Sequence, residues 1–143
     1  GIVVTAADLP GAPDELSFYT TEGYYQSRNR LRRHTLRIDG FVSAAASPAG
    51  GELVTKPLVF DGSRLVINYA TSAAGSVRVE LMDEKSTPIP GFEMSKCSPI
   101  YGDEIEKAVE WEEAPALEKL AGRPVRVRFA LADAGLYSMR FAE

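Results

Sequence analysis

The stretch RLVINYATSAAGSVRVELMD, Arg64 to Asp83, decides the fold class. Leu65, Ile67 and Tyr69 alternate with Val66, Asn68 and Ala70, and Val77, Val79 and Leu81 alternate with Arg78, Glu80 and Met82. Successive side chains on a strand point to opposite faces, so this period of two gives each run one face for a core. The connection TSAAGS is small and polar and carries Gly75, which can adopt the backbone angles that hairpin loops need. The pattern therefore predicts two strands joined as a hairpin. A lone hairpin is marginal in water, so the remaining chain must supply more strands and a second layer.

Working outward, the same signals recur. ELSFYTT (15–21), LRRHTLRI (31–38), the run from Phe41 to Ala46, ELVTKPLVF (52–60), IEKAVEW (105–111), RPVRVRFAL (123–131) and LYSMRF (136–141) all read as strands. Asp39-Gly40 and Asp61-Gly62 are hairpin-type turn dipeptides, and ADAG at 132–135 reads as another turn. Residues 31–46 accordingly read as a second hairpin. Pro57 cannot donate to a ladder and marks an edge or a bulge. APALEKLA, 114–121, has room for one short helix after Pro115, ending at Gly122. Residues 1–14 are rich in Pro, Gly and Ala and read as a linker or flexible arm, leaving 15–143 as a single domain.

About eight to ten short strands with frequent turn signals predict an all-β fold. The expected form is a two-sheet antiparallel β-sandwich with jelly-roll connections and at most one short helix, with a closed barrel as the alternative.

Composition narrows the function classes. A chain of 143 residues with net charge −4 and a pI near 5.1 lacks the basic balance of a nucleic-acid binder. No apolar run approaches the ~20 residues of a membrane span, and the opening GIVVTAADLPGAPDE has no basic n-region of a signal peptide. Cys97 is the single cysteine, and it reads as a small buried apolar residue. His34 is the single histidine, without a catalytic Cys–His setting.

Three kinds of residue bear on chemistry. Asp103-Glu104 with Glu106, and Glu110 with Glu112-Glu113, could supply a general acid and base, but adjacent strand residues face opposite ways and such runs usually form solvated faces. Asp39, Asp61, Asp83 and Asp103 all fall at turns where oxygens could meet a calcium ion, with no spacing that resembles a ligand loop, so calcium is possible and no metal site is assigned. The aromatic residues Tyr24, Tyr25, Tyr101 and Trp111 are the glycan-binding candidates, because sugar rings stack on flat aromatic faces. Tyr24 and Tyr25 stand in a loop, where binding residues concentrate, whereas Trp111 reads as core or half-buried.

LRRHTLRIDGFVS (31–43), GGELVTKPLVFDGSRLVINYATSAAGSVRVEL (50–81), PIPGF (88–92), GDEIEKAVEW (102–111) and GRPVRVRFALADAGLYSMRF (122–141) together resemble one known family region. It is the C-terminal β-sandwich of bacterial glycoside-hydrolase-like proteins of the five-bladed propeller, family 32 and 43-like, kind. The resemblance implies a non-catalytic accessory module. Its partner would be the catalytic domain of the same polypeptide, which carries the catalytic carboxylates, and polysaccharide is a further implied partner. It also implies a secreted or periplasmic setting. Under it, the arginine-rich segment with Arg28, Arg30, Arg32, Arg33 and Arg37 is expected to form an interdomain interface, since guanidinium groups bind carboxylates in bidentate geometry.

Overall fold

The computed structural model describes residues 1–143. The chain is all-β, with two antiparallel sheets of three and five strands. It forms two compact units, Gly1–Val42 and Ser43–Glu143.

The first unit is a three-stranded meander of β1 (Val3–Thr5), β2 (Glu15–Glu22) and β3 (Arg30–Arg37), with β2 in the centre. The segment expected to be an arm thus supplies a strand, Val3 to Thr5, paired with Ser17 to Glu15. On one face of the sheet Phe18 stacks on its cross-strand partner His34 at 5.0 Å. On the other face Arg33 is the hub: its guanidinium donates to Ser17 Oγ (2.8 Å), Thr5 Oγ1 (3.1 Å), Glu15 Oε1 (2.7 Å) and Asp8 Oδ1 (3.0 Å). Ser17, lying beneath it, is the one buried residue among the first 42. Polar bonds rather than an apolar core hold this sheet together. Arg33→Ala is therefore expected to speed amide hydrogen exchange across Val3–Thr5 and leave exchange in the second unit unchanged, read by mass spectrometry.

The second unit holds β4 (Ala44–Ala46), β5 (Gly51–Val54), β6 (Arg64–Met82), β7 (Asp103–Ala108) and β8 (Arg126–Ala142). Its sheet runs β4-β8-β6-β7, with β5 also paired to β8. Here two sequence expectations are corrected. Arg64–Met82 is one continuous strand of 19 residues, not a hairpin, and Arg126–Ala142 is one strand of 17 residues rather than two strands around an ADAG turn. The two pair with each other along their whole length, from Arg64↔Ala142 to Met82↔Arg126. The expected loops are corners in these long strands. Between Thr71↔Ala134 and Ser76↔Ala132, residues Ser72 to Gly75 stand opposite the single residue Asp133. Extra residues on one strand bend it and increase its twist.

The corner makes the unit's core. Leu65, Ile67 and Tyr69 before it and Val77, Val79 and Leu81 after it are all fully buried and belong to one cluster with Val125, Val127, Phe129 and Leu131 of β8. A straight strand would spread these side chains along one flat face, whereas the curled sheet brings both limbs to one interior. A second irregularity sits between Asn68↔Ser138 and Tyr69↔Leu136, where Tyr137 is the extra residue. One extra residue reverses the inward parity. Leu136 is therefore buried while Met139 and Phe141 also pack on the core, although the sequence alternation sets Leu136 against the other two.

The expected hairpin over 31–46 is likewise corrected. Asp39-Gly40 does form a turn, closed by Gly40 N–H donating to Arg37 O at 2.9 Å, but β3 belongs to the first sheet and Ala44–Ala46 pairs with Gly135 and its neighbours in β8. Helical structure is confined to single 3-10 turns at Met94–Lys96 and Leu117–Leu120; the second buries Leu117 and Leu120. No helix is long and apolar enough to cross a membrane.

Candidate functional site

On the edge away from β8, the later half of β6 runs past Asp103, where β7 begins, and has no neighbouring strand, so the backbone groups on that edge find other partners. Val77 exchanges both bonds with Ile100, at 2.9 and 2.8 Å, and Leu81 N–H donates to Phe92 O at 3.0 Å. Between them, Val79 is met by side chains. Its N–H points to Cys97 Sγ at 3.3 Å, and its carbonyl accepts the Trp111 indole N–H at 2.9 Å. Burying these backbone groups unpaired would be costly, so the segment Pro88–Trp111 is held against β6.

This fixes Trp111 at the margin of the core, partly buried. The ring is anchored by its N–H and by edge-on contact with Phe92 at 5.3 Å, and its backbone bridges to Cys97. Cys97 itself is buried, and burial pushes its thiol up from the ordinary range, with the Val79 N–H offsetting only part of that. A protonated, enclosed thiol fits the packing role read from sequence.

Two grooves adjoin this region, and Trp111 lines the larger of them. The smaller, about 270 Å³, runs between Ser98–Tyr101 and Lys107, Ala108 and Glu110. The larger, about 420 Å³, is walled by Arg64, Phe92, Trp111 and Pro115 and is also lined by Ala108 and Glu110. Tyr101 stands at the smaller groove with 59% of its surface exposed. Its backbone is pinned from below: Tyr69 Oη donates to Tyr101 O at 2.5 Å, and Thr71 N–H donates to the neighbouring Gly102 O at 2.8 Å. Two of the four aromatic candidates, Tyr101 and Trp111, therefore sit on adjoining grooves of one unit.

Tyr24 and Tyr25 lie in the first unit, at the tip between β2 and β3. They are 69% and 95% exposed and touch each other edge-to-face at 5.0 Å. Of the arginines, Arg30 and Arg32 both pair with Glu22, at 2.7 and 2.8 Å, and Arg33 holds Glu15 and Asp8. The hydrogen bond from Arg30, with Arg32 adding to it, holds the Glu22 carboxyl below the usual carboxylate range. Arg37 is also engaged, and Arg28 is exposed near the tip. Arg30 and Arg32 stay largely exposed despite their pairing, so a partner surface can still reach them.

The acidic candidates separate. Glu104 pairs with Lys107 at 3.3 Å and Glu106 with Arg140 at 2.6 Å, while Glu110 alone among them lines both grooves. Glu112 and Glu113 are exposed. Asp61 and Asp83 spend carboxylate oxygens on turn N–H groups, Asp61 on Gly62 and Asp83 on Lys85 and Thr87. No group of three or more His, Cys, Asp or Glu side chains gathers around a cation-sized space.

Sequence reading missed two sets of residues. Arg64 and Lys107 join Glu110, already a candidate acid or base, as charged residues lining the grooves, and nothing in the alternation of β6 and β7 marks these two. The other is a buried charge: Glu80 accepts from Arg128 at 3.2 Å and from Met94 N–H at 2.9 Å, and Arg128 also holds Glu52 at 2.5 Å. The cross-strand register Glu80↔Arg128 explains that pair, and the register becomes known only once β6 and β8 are matched.

No family model matches the chain, and no curated protein or solved structure matches it.

Proposed function

We propose that the chain is a non-catalytic accessory β module of a carbohydrate-active, glycoside-hydrolase-like protein, packing on the catalytic domain of the same polypeptide. The observation that carries this reading is the first unit, a sheet without a core of its own. Val3, Val4, Leu9, Tyr19 and Leu31 are each more than half exposed, and Ser17 alone is buried. Three strands need an apolar face packed on something to be stable, so this sheet fits a surface that another domain covers. The arginines Arg28, Arg30 and Arg32 around it supply charge for carboxylates on that partner. The resemblance to the sandwich region of propeller glycoside hydrolases supports the same arrangement.

A second reading, direct glycan binding, is favoured by a different observation: the anchored Trp111 and the exposed Tyr101 on adjoining grooves. Affinity electrophoresis of the whole chain in gels containing plant, algal or fructan polysaccharides separates the two. Retardation by one polysaccharide, abolished in Trp111→Ala or Tyr101→Ala with unchanged circular dichroism, supports binding. Free migration in every gel leaves the scaffold reading alone. That reading fails in turn if the first unit, as part of this chain, exchanges its amides as slowly as the second unit does without any partner present.

A further inference from the structure

Resting on the reading of the first unit as an interface to the catalytic domain of the same polypeptide, we propose that the outer edge of β3 takes up an extended acidic strand of that domain. The added strand runs antiparallel to β3, with apolar side chains at its start and carboxylates at alternate positions towards its end.

The edge is built for pairing. β3 ends the sheet order β1-β2-β3, so one side of it has no neighbouring strand. In an antiparallel ladder every second residue turns both its N–H and its C=O away from the paired strand, and β3 presents a row of such groups to its open side. Its ladder with β2 is unbroken along the whole strand, from Glu15↔Arg37 to Glu22↔Arg30, with no bulge. RLRRHTLR contains no proline and no glycine. The other edge strand of this sheet, β1, has only 3 residues against the 8 of β3. Shortness, bulges and proline, which keep edges from pairing, are thus all missing from β3, and charge alone guards it.

That charge has one sign. β3 carries Arg30, Arg32, Arg33 and Arg37 and no carboxylate. Two copies of β3 side by side would bring arginines together, which opposes self-pairing, whereas an acidic strand meets opposite charge. Positive charge is also in excess locally. Arg30 and Arg32 share the single carboxylate of Glu22, at 2.7 and 2.8 Å, and both stay exposed. Arg28, just before the strand, adds a further exposed guanidinium. Arg33 lies on the opposite face and is already matched by Asp8 and Glu15.

The register sets the order of the partner's side chains. Residues directly opposite across a ladder share a face. One face of this sheet holds Val4, Leu16 and Leu36 in a row, then Phe18 with His34, then Thr20 with Arg32, then Glu22 with Arg30. It passes from apolar to basic along β3. An antiparallel strand on the open edge meets Leu36 and His34 first, then Arg32 and Arg30. Apolar residues suit its early positions on this face and carboxylates its later ones, where guanidinium groups bind them in bidentate geometry. Main-chain bonds along the edge supply affinity, and the alternate side chains supply specificity.

The probe is a synthetic peptide as long as β3, with valine at its first and third positions, glutamate at its fifth and seventh, and threonine between. One control carries lysine in place of glutamate. The other keeps both glutamates but has proline in place of two threonines, so that it cannot form a ladder. Each is titrated to about 5 mM into the isotopically labelled whole chain, with amide hydrogen exchange read by nuclear magnetic resonance. The acidic peptide is expected to slow exchange about tenfold at every second residue of β3 and to leave the second unit unchanged. Arg30→Ala with Arg32→Ala is expected to weaken its binding about tenfold, and Arg32→Ala alone about threefold. The single variant keeps the Arg30–Glu22 pair, so it decides the matter if the double variant disturbs the sheet. Equal protection by the proline peptide overturns edge pairing. Equal protection by the lysine peptide, or binding untouched by Arg32→Ala, overturns the acidic partner. No protection by any peptide, with the first unit exchanging quickly on its own, overturns this proposal and leaves contact through the face of the sheet. Slow exchange of the first unit before any peptide is added removes the interface reading and this proposal together.

Discussion

Phe129→Ala is expected to lower the unfolding free energy by about 4 kcal/mol, because it removes a large buried ring and leaves a cavity that the surrounding sheet closes only in part. Phe129 is fully buried on β8, opposite Val79 of β6 on one side and Leu53 of β5 on the other. Both limbs of the curled sheet contribute to its cluster, so neither can move inward without disturbing the other. Thermal unfolding followed by circular dichroism should show a Tm lower by about 15 °C. Phe129→Leu, which keeps most of the volume, should cost about 1 kcal/mol. Equal losses in the two variants would mean that the ring does not fill the interior described.

Gly75→Ala should cost about 3 kcal/mol, a large effect for one added methyl group. A Cβ at Gly75 would lie 2.3 Å from Asp133 O and 2.8 Å from Ala132 O. Both are backbone atoms of the opposing strand, fixed by the ladder on either side, so the corner would have to open. Gly122→Ala is the comparison. Gly122 has φ of +74° but nothing within 4 Å of the added carbon, so only the backbone penalty of about 1 kcal/mol is expected there. Chemical denaturation of both variants separates crowding at the corner from the general cost of replacing glycine. A Gly75→Ala chain as stable as the parent would show that the two strands do not approach closely at this point.

The two-residue period that gives each strand one apolar face made most of the strands legible. Leu65, Ile67, Tyr69, Val77, Val79, Leu81, Val125, Val127 and Phe129 all face the core that their parity implies. What was hidden is how the strands are joined. TSAAGS and ADAG have the composition of hairpin loops, yet small residues serve equally where a strand must bend under close approach, as at Gly75, or adopt φ of 43°, as at Asp133. Nothing local distinguishes the two uses, because the deciding partner of each corner is the other corner, more than fifty residues away. Asp39-Gly40 shows the same limit: the turn was readable, its pairing was not. Val3-Val4-Thr5 was obscured by the Pro and Gly that follow it, and its strand depends on the register with Glu15–Ser17.

The site was legible in part. Tyr101 and Trp111 were visible as aromatic residues of the right type, but only the corner and the segment packed along β6 place them beside adjoining grooves. Glu110 read as a member of a solvated acidic run. It stands out only because β7 ends at Ala108 and Glu110 is among the lining residues of both grooves. In the first unit, exposure rather than type carries the meaning, since a sheet of ordinary strand residues has no core beneath it.

The curled sheet underlies both the core and the grooves, and backbone nuclear Overhauser contacts in the isotopically labelled chain test it most directly. Continuous bent strands give cross-strand contacts between Val79 and Phe129 and between Ile67 and Met139. Contacts between Asn68 and Val79 and between Ala70 and Val77, with the first two absent, would mean that Arg64–Met82 folds back on itself as a hairpin, and would contradict the corner, the core and the placement of the grooves.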